Sequence, residues 1–264
     1  MDKVKDPFIR PNDILASFDV ESLYPSIPVD EALEMLKEWL ADQDLSQEEQ
    51  DMYLEMTTVC MSLNYFQFDF KYYQQTYDMA MGNALSPFLA NLYMSNFEIR
   101  LKKAKCFPEI WVRYVDDIFV VINKRKLSST LQLLNKQHLS IKFTSEEEVE
   151  ASLPFLDVKV TKMGNSLEFD VYRKPTNTQR CIPASSCHPN QHKLAAFHSM
   201  IHRACNLPLS EESLSRELKY IKDTAKVNGY SEVMVDRLLK KHLAKKRIKD
   251  ATILVPLAKE DKLK

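Results

Sequence analysis

Two adjacent carboxylates interrupt the most apolar stretch of the chain. In the segment WVRYVDDIFVVI, residues 111–122, Asp116 and Asp117 lie between two runs of β-branched and aromatic residues. Such runs predict strands, and the short break between them predicts a tight hairpin with the two acids at its tip. A plain surface turn explains an Asp-Asp pair as well, because aspartate tolerates turn conformations. The fold must therefore either expose these two charges at a surface turn or place them in a functional site.

A third acid ends another apolar strand. The segment DILASFDV, residues 13–20, reads as a buried strand and places Asp19 near its end. If this strand lies beside the hairpin, Asp19 and Asp116 meet at one end of a sheet. Carboxylates held close together repel one another and need a counter-charge, which a hard divalent cation such as Mg²⁺ supplies. The spacing leaves two interpretations open, a metal site for phosphoryl transfer or separate surface turns.

The periodicity of apolar residues predicts the remaining elements. Helical spacing predicts four helices in the first part of the chain, at 26–43, 45–64, 86–103 and 126–137. Alternation predicts a hairpin at 65–77, a strand at 140–146 and a hairpin at 153–174 that turns around Gly164. Three further helices are expected after Pro183, at 190–206, 210–228 and 231–247. With only 3 glycines in the chain, a many-turned all-β fold is disfavoured.

Charge is distributed unevenly along the chain. Residues 171–264 contain 19 Lys and Arg against 9 Asp and Glu, whereas residues 1–170 contain 17 against 28. An acidic body with a basic tail is expected when one part holds metals and the other a polyanion, although Lys-rich solvated helices give the same balance. We predict a domain at 1–180 and a helical, basic one at 181–264.

The cysteines indicate a reduced, intracellular protein. The chain has 5 cysteines, an odd number, and no CxxC pair. The group Cys181, Cys187, His188 and His192 fits no familiar zinc-finger spacing, so packing or nucleic-acid contact is the favoured explanation for it. No run approaches the ~18–20 apolar residues of a membrane span, so no membrane partner is expected.

Three segments occur in the order of a known set of motifs. The segments FDVESLYPSIP, MAMGNALSPFLANLYM and YVDDIFVVI resemble motifs A, B and C of reverse transcriptases. The later segments LPFLDVKV and VYRKPTNTQRCIPASSCHPNQHK resemble the Penelope-like branch of retroelement polymerases. The resemblance implies an α+β right-hand polymerase palm, an antiparallel sheet with helices on one face, followed by a small helical thumb. Only about a dozen residues precede the first strand, so the fingers are expected to be missing.

The resemblance also implies a catalytic centre. Asp19, Asp116 and Asp117 would be the catalytic acids and, with Val20, the ligands of two Mg²⁺ (or Mn²⁺) ions. Asp117 would be the weaker ligand, because neighbouring strand residues point to opposite faces. The backbone amide of Val20 would contact the triphosphate of the incoming nucleotide.

Further residues of motifs A and B would bind the nucleotide. Tyr24 would act as a steric gate that leaves no room for a 2′-hydroxyl and so favours dNTPs. Gly82, Ser86 and Pro87 would shape the site around the template and the incoming base. The sequence departs from the family pattern at Asn83-Ala84 after Gly82, and at Asp78, where a glycine is common. An additional acid beside a triphosphate is electrostatically unfavourable.

The nucleic-acid contacts implied by the resemblance lie in the hairpin and the basic tail. Tyr114 would hold the primer end, while Arg173, Lys174 and Lys193 would contact backbone phosphates of an RNA template and DNA primer. The family context implies a longer, nuclear polyprotein with fingers and a GIY-YIG endonuclease. The alternative functions are an inactive nucleic-acid-binding remnant and an RNA-dependent RNA polymerase, against which Tyr24 argues.

Overall fold

The computed structural model describes residues 9–102 and 107–253, with side chains described as far as Lys245. The described strands are β1 (Asp13–Val20), β2 (Tyr65–Phe68), β3 (Lys71–Gln74), β4 (Ile110–Tyr114), β5 (Asp117–Asn123), β6 (Phe143–Glu147), β7 (Ser152–Phe155), β8 (Val158–Met163) and β9 (Ser166–Val171). The described helices are α1 (Leu23–Ser26), α2 (Val29–Ala41), α3 (Gln47–Ser62), α4 (Ser86–Leu101), α5 (Leu127–Gln137), α6 (Asn190–Asn206), α7 (Glu211–Val227) and α8 (Glu232–Ile253). None of these helices is both long and apolar enough to cross a membrane.

A four-stranded sheet with the order β4-β5-β1-β6 forms the centre of the first part of the chain. β1 pairs antiparallel with β5 and β6, and β4 pairs antiparallel with β5. Ala16, Phe18 and Val20 alternate along β1 and are buried in one hydrophobic core with the apolar faces of α2, α4 and α5. Because the side chains alternate, one face of the sheet is apolar and is covered by helices, as the predicted α+β class requires.

The segment between the first and third motifs forms α3 and a short hairpin. α3 starts with a capping box, in which Ser46 and Glu49 bond reciprocally through side chain and backbone. β2 and β3 follow, joined by Asp69 and Phe70, which both have a left-handed φ. Six aromatic side chains of this hairpin are exposed: Tyr65, Phe66, Phe68, Phe70, Tyr72 and Tyr73.

The segment LPFLDVKVT is not one strand, which corrects the prediction made from its apolar run. Leu156 has a φ of 53°, in the left-handed region, and this turn separates β7 from β8. The expected turn at Gly164 is present between the hydrogen-bonded neighbours β8 and β9, with a φ of 62° that glycine adopts without strain. The pattern of hydrophobic residues does not indicate that the backbone reverses its direction at a leucine.

The chain divides into two compact units. The first extends to Phe155 and includes residues 164–166, and the second contains residues 156–163 and the chain from Leu167 onward. In the second unit α6, α7 and α8 enclose their own hydrophobic core around Phe197, Ile201 and Ile221. The second unit begins before the predicted boundary near 180. Within it Asp157, just before β8, and Asp170 of β9 form ion pairs with Arg203 of α6 and Arg216 of α7. The palm and thumb ranges 1–180 and 181–264 stay a prediction, and the part after residue 253 lies outside the described residues.

Candidate active site

The end of β1 and the tip of the β4–β5 hairpin lie side by side. In the antiparallel register Asp19 is opposite Asp117, and Tyr114 is opposite Asp117 on the other side. The turn between β4 and β5 therefore consists of Val115 and Asp116, one residue earlier than predicted. The Val20 amide donates a hydrogen bond of 3.3 Å to the Asp116 carbonyl, which joins the strand to the turn. Asp19 and Asp116 thus meet at one end of the sheet.

The carboxyl groups affect one another electrostatically. Partial burial, followed by the negative charges of Asp116 and Glu21, raises the pKa of the Asp19 carboxyl above its ordinary value. The ionised form of the Asp19 carboxyl is therefore disfavoured in the protein, and a bound cation would stabilise it. Across the described residues, no three His, Cys, Asp or Glu side chains are grouped closely enough to hold a metal ion. The donor set still fits Mg²⁺, which binds through one or two carboxylates and completes its shell with water and substrate phosphates.

The structure changes two details of the predicted centre. Because Asp116 lies in the turn, strand alternation does not decide which of the two acids faces Asp19, and the register places Asp117 directly across from Asp19. The weaker role expected for Asp117 stays a prediction. The Val20 amide is already bonded to the Asp116 carbonyl, so it does not point freely toward a triphosphate as expected.

The hairpin tip is strained. Val115 has a φ of 58°, in the left-handed region, where a β-branched residue is a rare outlier. Strain of this kind persists only where the surrounding structure holds the backbone in place, and it occurs often at functional sites. The turn therefore needs support from neighbouring elements.

That support comes from Glu98 on α4, a residue that the sequence analysis did not identify. Glu98 Oε1 accepts hydrogen bonds from Arg113 Nε at 2.5 Å and from Trp111 Nε1 at 3.0 Å. The Arg113 guanidinium also donates to the Val115 carbonyl at 3.3 Å and to Asn91 Oδ1 at 3.1 Å. Arg113 therefore fixes the turn to α4. The sequence feature that could have identified Glu98 is the presence of an acid near the end of an otherwise apolar helix.

The segments around motifs A and B are joined by backbone hydrogen bonds. The Tyr24 carbonyl accepts a hydrogen bond of 3.2 Å from the Met79 amide, so the chain just before motif B lies against α1. Tyr24 itself is half-buried and packs against the first core. Asp78, next to Met79, has a φ of 59°. This left-handed conformation explains why a glycine suits the position, and aspartate is among the few other residues that tolerate it.

The loop before α4 is held from inside the protein. The buried Ser86 hydroxyl donates to the Ala80 carbonyl at 2.6 Å, so Ser86 shapes the loop and does not present its hydroxyl to solvent. Pro87 follows in the first turn of α4 and is exposed. Asn83 donates to the Cys60 carbonyl at 2.8 Å and thereby bonds the loop to α3. The departure from the family pattern at Asn83 thus has a structural role, which spacing alone did not reveal.

Gly82 has no structural requirement of its own. Its φ is not in the left-handed region, and a Cβ added there would meet no atom within 4 Å. We expect Gly82→Ala to leave the free energy of unfolding within about 0.5 kcal/mol of the parent. If the glycine admits a nucleotide or template strand, the same change should lower the incorporation rate at least about tenfold. Urea unfolding and primer extension measure the two effects, and equal extension by both proteins would contradict the nucleotide-binding role.

The residues predicted to bind nucleic acid differ in their availability. Tyr114 is 62% exposed at the end of β4, and Lys174 is also exposed. The Arg173 Nη2 atom donates to both carboxylate oxygens of Glu217, at 2.5 and 2.6 Å, and the guanidinium covers one face of the Tyr220 ring. The Lys193 ammonium donates to the Ala184 carbonyl at 2.9 Å. Arg173 and Lys193 thus have internal partners, whereas Tyr114 and Lys174 face solvent.

Histidines of α6 and α8 form a cluster of their own. His198 Nδ1 and His242 Nε2 are 3.0 Å apart, and the ring of His202 lies 6.3 Å from that of His242. Cys187, part of the group considered in the sequence, is exposed. The cluster lies in the helical unit, away from the CHPN segment that drew attention to these residue types.

This cluster should make the second unit sensitive to acid. Burial, followed by the charges of His198 and His202, lowers the pKa of His242 below its ordinary 6.5. The folded state then binds the proton less tightly than the unfolded chain, so stability is lost as the pH falls through 6.5. We expect thermal unfolding at pH 7 and pH 5 to show this loss, and His242→Gln to reduce it. The exposed His192→Gln is the control, and the same pH dependence in H242Q as in the parent would contradict the prediction.

Two family models match the chain. The model described as reverse transcriptase (RNA-dependent DNA polymerase) matches residues 9–149, slightly more than half of the chain, and includes Asp19, Tyr24, Gly82 and Asp116. The model described as an animal helix-turn-helix domain matches residues 180–240. No curated protein sequence matches the chain.

Solved polymerase structures are similar in fold. Telomerase from Candida albicans, in complex with a fragment of telomeric RNA, has 13% identity and a TM-score of 0.56 over 83% of this chain and 40% of that chain. Apo telomerase from Candida tropicalis has 10% identity and a TM-score of 0.50, over 83% and 42% of the two chains. The Sicinivirus RNA-dependent RNA polymerase has 14% identity and a TM-score of 0.50, over 88% and 52%. The likeness confirms the α+β class of a polymerase palm and thumb, and the chain spans about half or less of each protein's length.

Proposed function

The chain belongs to the reverse transcriptase family, and from this premise we propose that it carries the palm and thumb of an RNA-directed DNA polymerase. The reaction is the attack of a primer 3′-hydroxyl on the α-phosphate of a dNTP, with release of pyrophosphate. The observation that supports it most is the meeting of Asp19 and Asp116 where β1 ends beside the β4–β5 turn. This arrangement unites two motifs that are almost 100 residues apart in the chain.

Asp19 and Asp116, with Asp117 and the Val20 carbonyl, would hold two Mg²⁺ or Mn²⁺ ions. The ions would supply activation of the primer hydroxyl and charge stabilisation on the phosphate oxygens. The carboxylates bring the negative charge that binds the ions. Burial, followed by the charges of Asp116 and Glu21, raises the pKa of Asp19, and added cations would favour its ionised form. The Arg113–Glu98 pair holds the hairpin so that Asp116 stays beside β1.

Tyr24 would select the sugar. Tyr24 lies on α1, two residues past the left-handed Ser22 and four past the end of β1, and it packs against the core of the first unit. An aromatic ring beneath the sugar excludes a 2′-hydroxyl by its bulk, which favours dNTPs over NTPs. We expect Tyr24→Ala to improve NTP use relative to dNTP use by about tenfold or more, through removal of a steric clash.

Primer extension tests this proposal. The chain, purified and supplied with Mg²⁺, a DNA primer on an RNA template and either dNTPs or NTPs, should extend the primer with dNTPs preferentially. Chelation of the metal should stop extension. Efficient use of NTPs by the parent protein, or no change in discrimination by Tyr24→Ala, would contradict the assignment of DNA synthesis and favour an RNA polymerase.

We further propose that the polymerase is of the Penelope-like retroelement type. It would work in the nucleus as part of a longer polyprotein that also contains fingers and a GIY-YIG endonuclease. The LPFLDV and YRKPT segments support it by resemblance. The basic helices of the second unit, together with Lys174 in the segment after β9, would follow the backbone of the template–primer duplex. A loss of duplex affinity in Lys174→Ala that fades at high salt is the expected signature of this contact.

A second candidate function is nucleic-acid binding without catalysis. Asp78 favours it, because this acid lies beside Met79, whose amide bonds the residue proposed as the steric gate. Removal of its charge by Asp78→Gly should then restore nucleotide use and also suit the left-handed φ. Salt-dependent duplex binding without Mg²⁺-dependent extension, in both the parent and Asp78→Gly, would identify the chain as a binding remnant.

A further inference from the structure

A cavity of about 490 Å³ lies within the second compact unit. Its walls come from the turn before β8, from the segment after β9 and from α6 and α7. They include Arg173 and Lys174 but none of the residues of motifs A to C. The residues that matter for its chemistry are Tyr172, Lys174, Arg180, Arg203, Tyr220 and Thr224. The volume falls within the range of about 300–1,000 Å³ that is typical of small-molecule sites.

The cavity contains a buried hydroxyl that lacks a partner. Thr224 is 1% exposed, and its Oγ1 atom is the buried side-chain polar atom that finds no hydrogen bond within the described part of the chain. A buried hydroxyl without a partner is costly and is expected to have a function or an external partner. Because Thr224 lines the cavity, a bound molecule can supply that partner.

The cavity wall is positively charged. Arg203 is paired with Asp157 at 3.2 Å, and Arg173 is occupied by Glu217. Lys174 and Arg180 also line the cavity, and neither forms an ion pair with any residue that the structure describes. The available charge therefore consists of two cations, which is the complement of a phosphate group.

Flat rings line the same cavity. Tyr172 and Tyr220 are both part of its wall, and the Arg173 guanidinium stacks on Tyr220 with 3.6 Å to the ring centroid. Aromatic and guanidinium planes are the surfaces on which nucleobases stack. A wall that combines cations, planar groups and a hydroxyl matches the three parts of a nucleotide: phosphate, base and sugar.

The frame of the cavity is rigid. Asn228 donates to the Gln179 carbonyl at 2.8 Å and accepts from the Cys181 amide at 2.9 Å. Asn177 accepts a hydrogen bond from the Tyr220 hydroxyl at 3.2 Å, which ties the loop to α7. A preformed wall loses little conformational entropy when a ligand binds.

We infer that this cavity binds a single nucleotide, with its phosphate at Lys174 and Arg180, its base against the tyrosines and a polar atom bonded to Thr224. This inference goes beyond the proposed polymerase activity, since it requires no catalytic carboxylate and no metal. The nucleotide comes either from solution or from an unpaired position of a bound strand, and the chemistry of recognition is the same for both.

Calorimetric titration of the full chain without divalent metal tests the inference. The probes are dAMP, deoxyadenosine, inorganic phosphate and a short single-stranded oligodeoxyadenylate. We expect dAMP or the oligonucleotide to bind at least tenfold more tightly than phosphate or deoxyadenosine. Binding of the oligonucleotide but not of dAMP identifies a strand as the source. No saturable binding of either nucleotide probe, or phosphate binding as tight as dAMP binding, would overturn the inference.

Matched variants assign the binding to the cavity. Thr224→Val keeps the side-chain shape and removes the unpartnered hydroxyl, so it should weaken binding at least threefold while thermal stability is kept or raised. Lys174→Ala combined with Arg180→Ala should weaken binding at least tenfold. The control is Lys219→Ala, a cation of α7 that does not line this cavity. Equal weakening by the control would show general charge attraction and overturn the assignment, whereas Asp116→Ala must bind as the parent does.

Discussion

Asp116→Asn should reduce primer extension at least about a thousandfold, which corresponds to about 4 kcal/mol of transition-state stabilisation. Asparagine keeps the size of the side chain and removes its charge, so metal binding at the β1 end is weakened while the turn is retained. Folding should be unaffected or slightly improved, because the Asp116 charge adds to burial in raising the pKa of Asp19, and its removal lessens the repulsion. Extension rates and thermal unfolding, measured on the same preparations, separate catalysis from stability.

Asp44→Asn provides the matched control for this prediction. Asp44 is an exposed aspartate in the same compact unit and has no part in the proposed centre. It should extend primers at the parent rate. Parent-like extension by Asp116→Asn would refute the role given to Asp116, and the proposed polymerase centre with it.

Glu98→Ala should destabilise the first unit by about 3–5 kcal/mol, because it leaves the Arg113 charge buried without its partner. The Arg113 side chain is 8% exposed and that of Glu98 is 14% exposed, so water cannot replace the lost carboxylate. Such a loss is a large share of the roughly 5–15 kcal/mol that stabilises a typical domain. Urea unfolding measures it, and extension should fall as the hairpin loses its attachment to α4.

The ion pair of Arg10 and Glu109 supplies the comparison. Its atoms are 2.8 Å apart, but the side chains are 59% and 72% exposed. Arg10→Ala should therefore cost less than about 1 kcal/mol. Leucines at both positions 98 and 113 should recover part of the stability lost in Glu98→Ala, since an apolar pair avoids the uncompensated charge. A cost for Glu98→Ala no greater than that for Arg10→Ala would refute the role of the pair.

Hydrophobic periodicity was sufficient to predict most helices and strands. β1, α2, the capping box of α3 and the β4–β5 hairpin all follow from patterns in adjacent residues. The meeting of Asp19 with Asp116 was also predictable, because two apolar strands that end on acids tend to share a sheet edge. The family model over residues 9–149 agrees with the motifs quoted from the sequence.

Features that depend on distant partners were not predictable. The family resemblance implied phosphate contacts for Arg173, but its partner Glu217 is more than 40 residues away and on another element. Asn83 likewise acts through α3, and Glu98 through β4. The break at Leu156 depends on one backbone angle that no side-chain pattern encodes.

The helix α4 fixes the separation between two parts of the proposed centre. Ser86 at its start holds the loop of Gly82, and Glu98 in its last turns holds the hairpin of Asp116. Glu98 lies 12 positions after Ser86, which is a rise of ~18 Å at ~1.5 Å per residue. One inserted residue would rotate Glu98 by ~100° away from Arg113 and lengthen the spacing by ~1.5 Å. The length of α4 is therefore constrained by the attachments near its two ends.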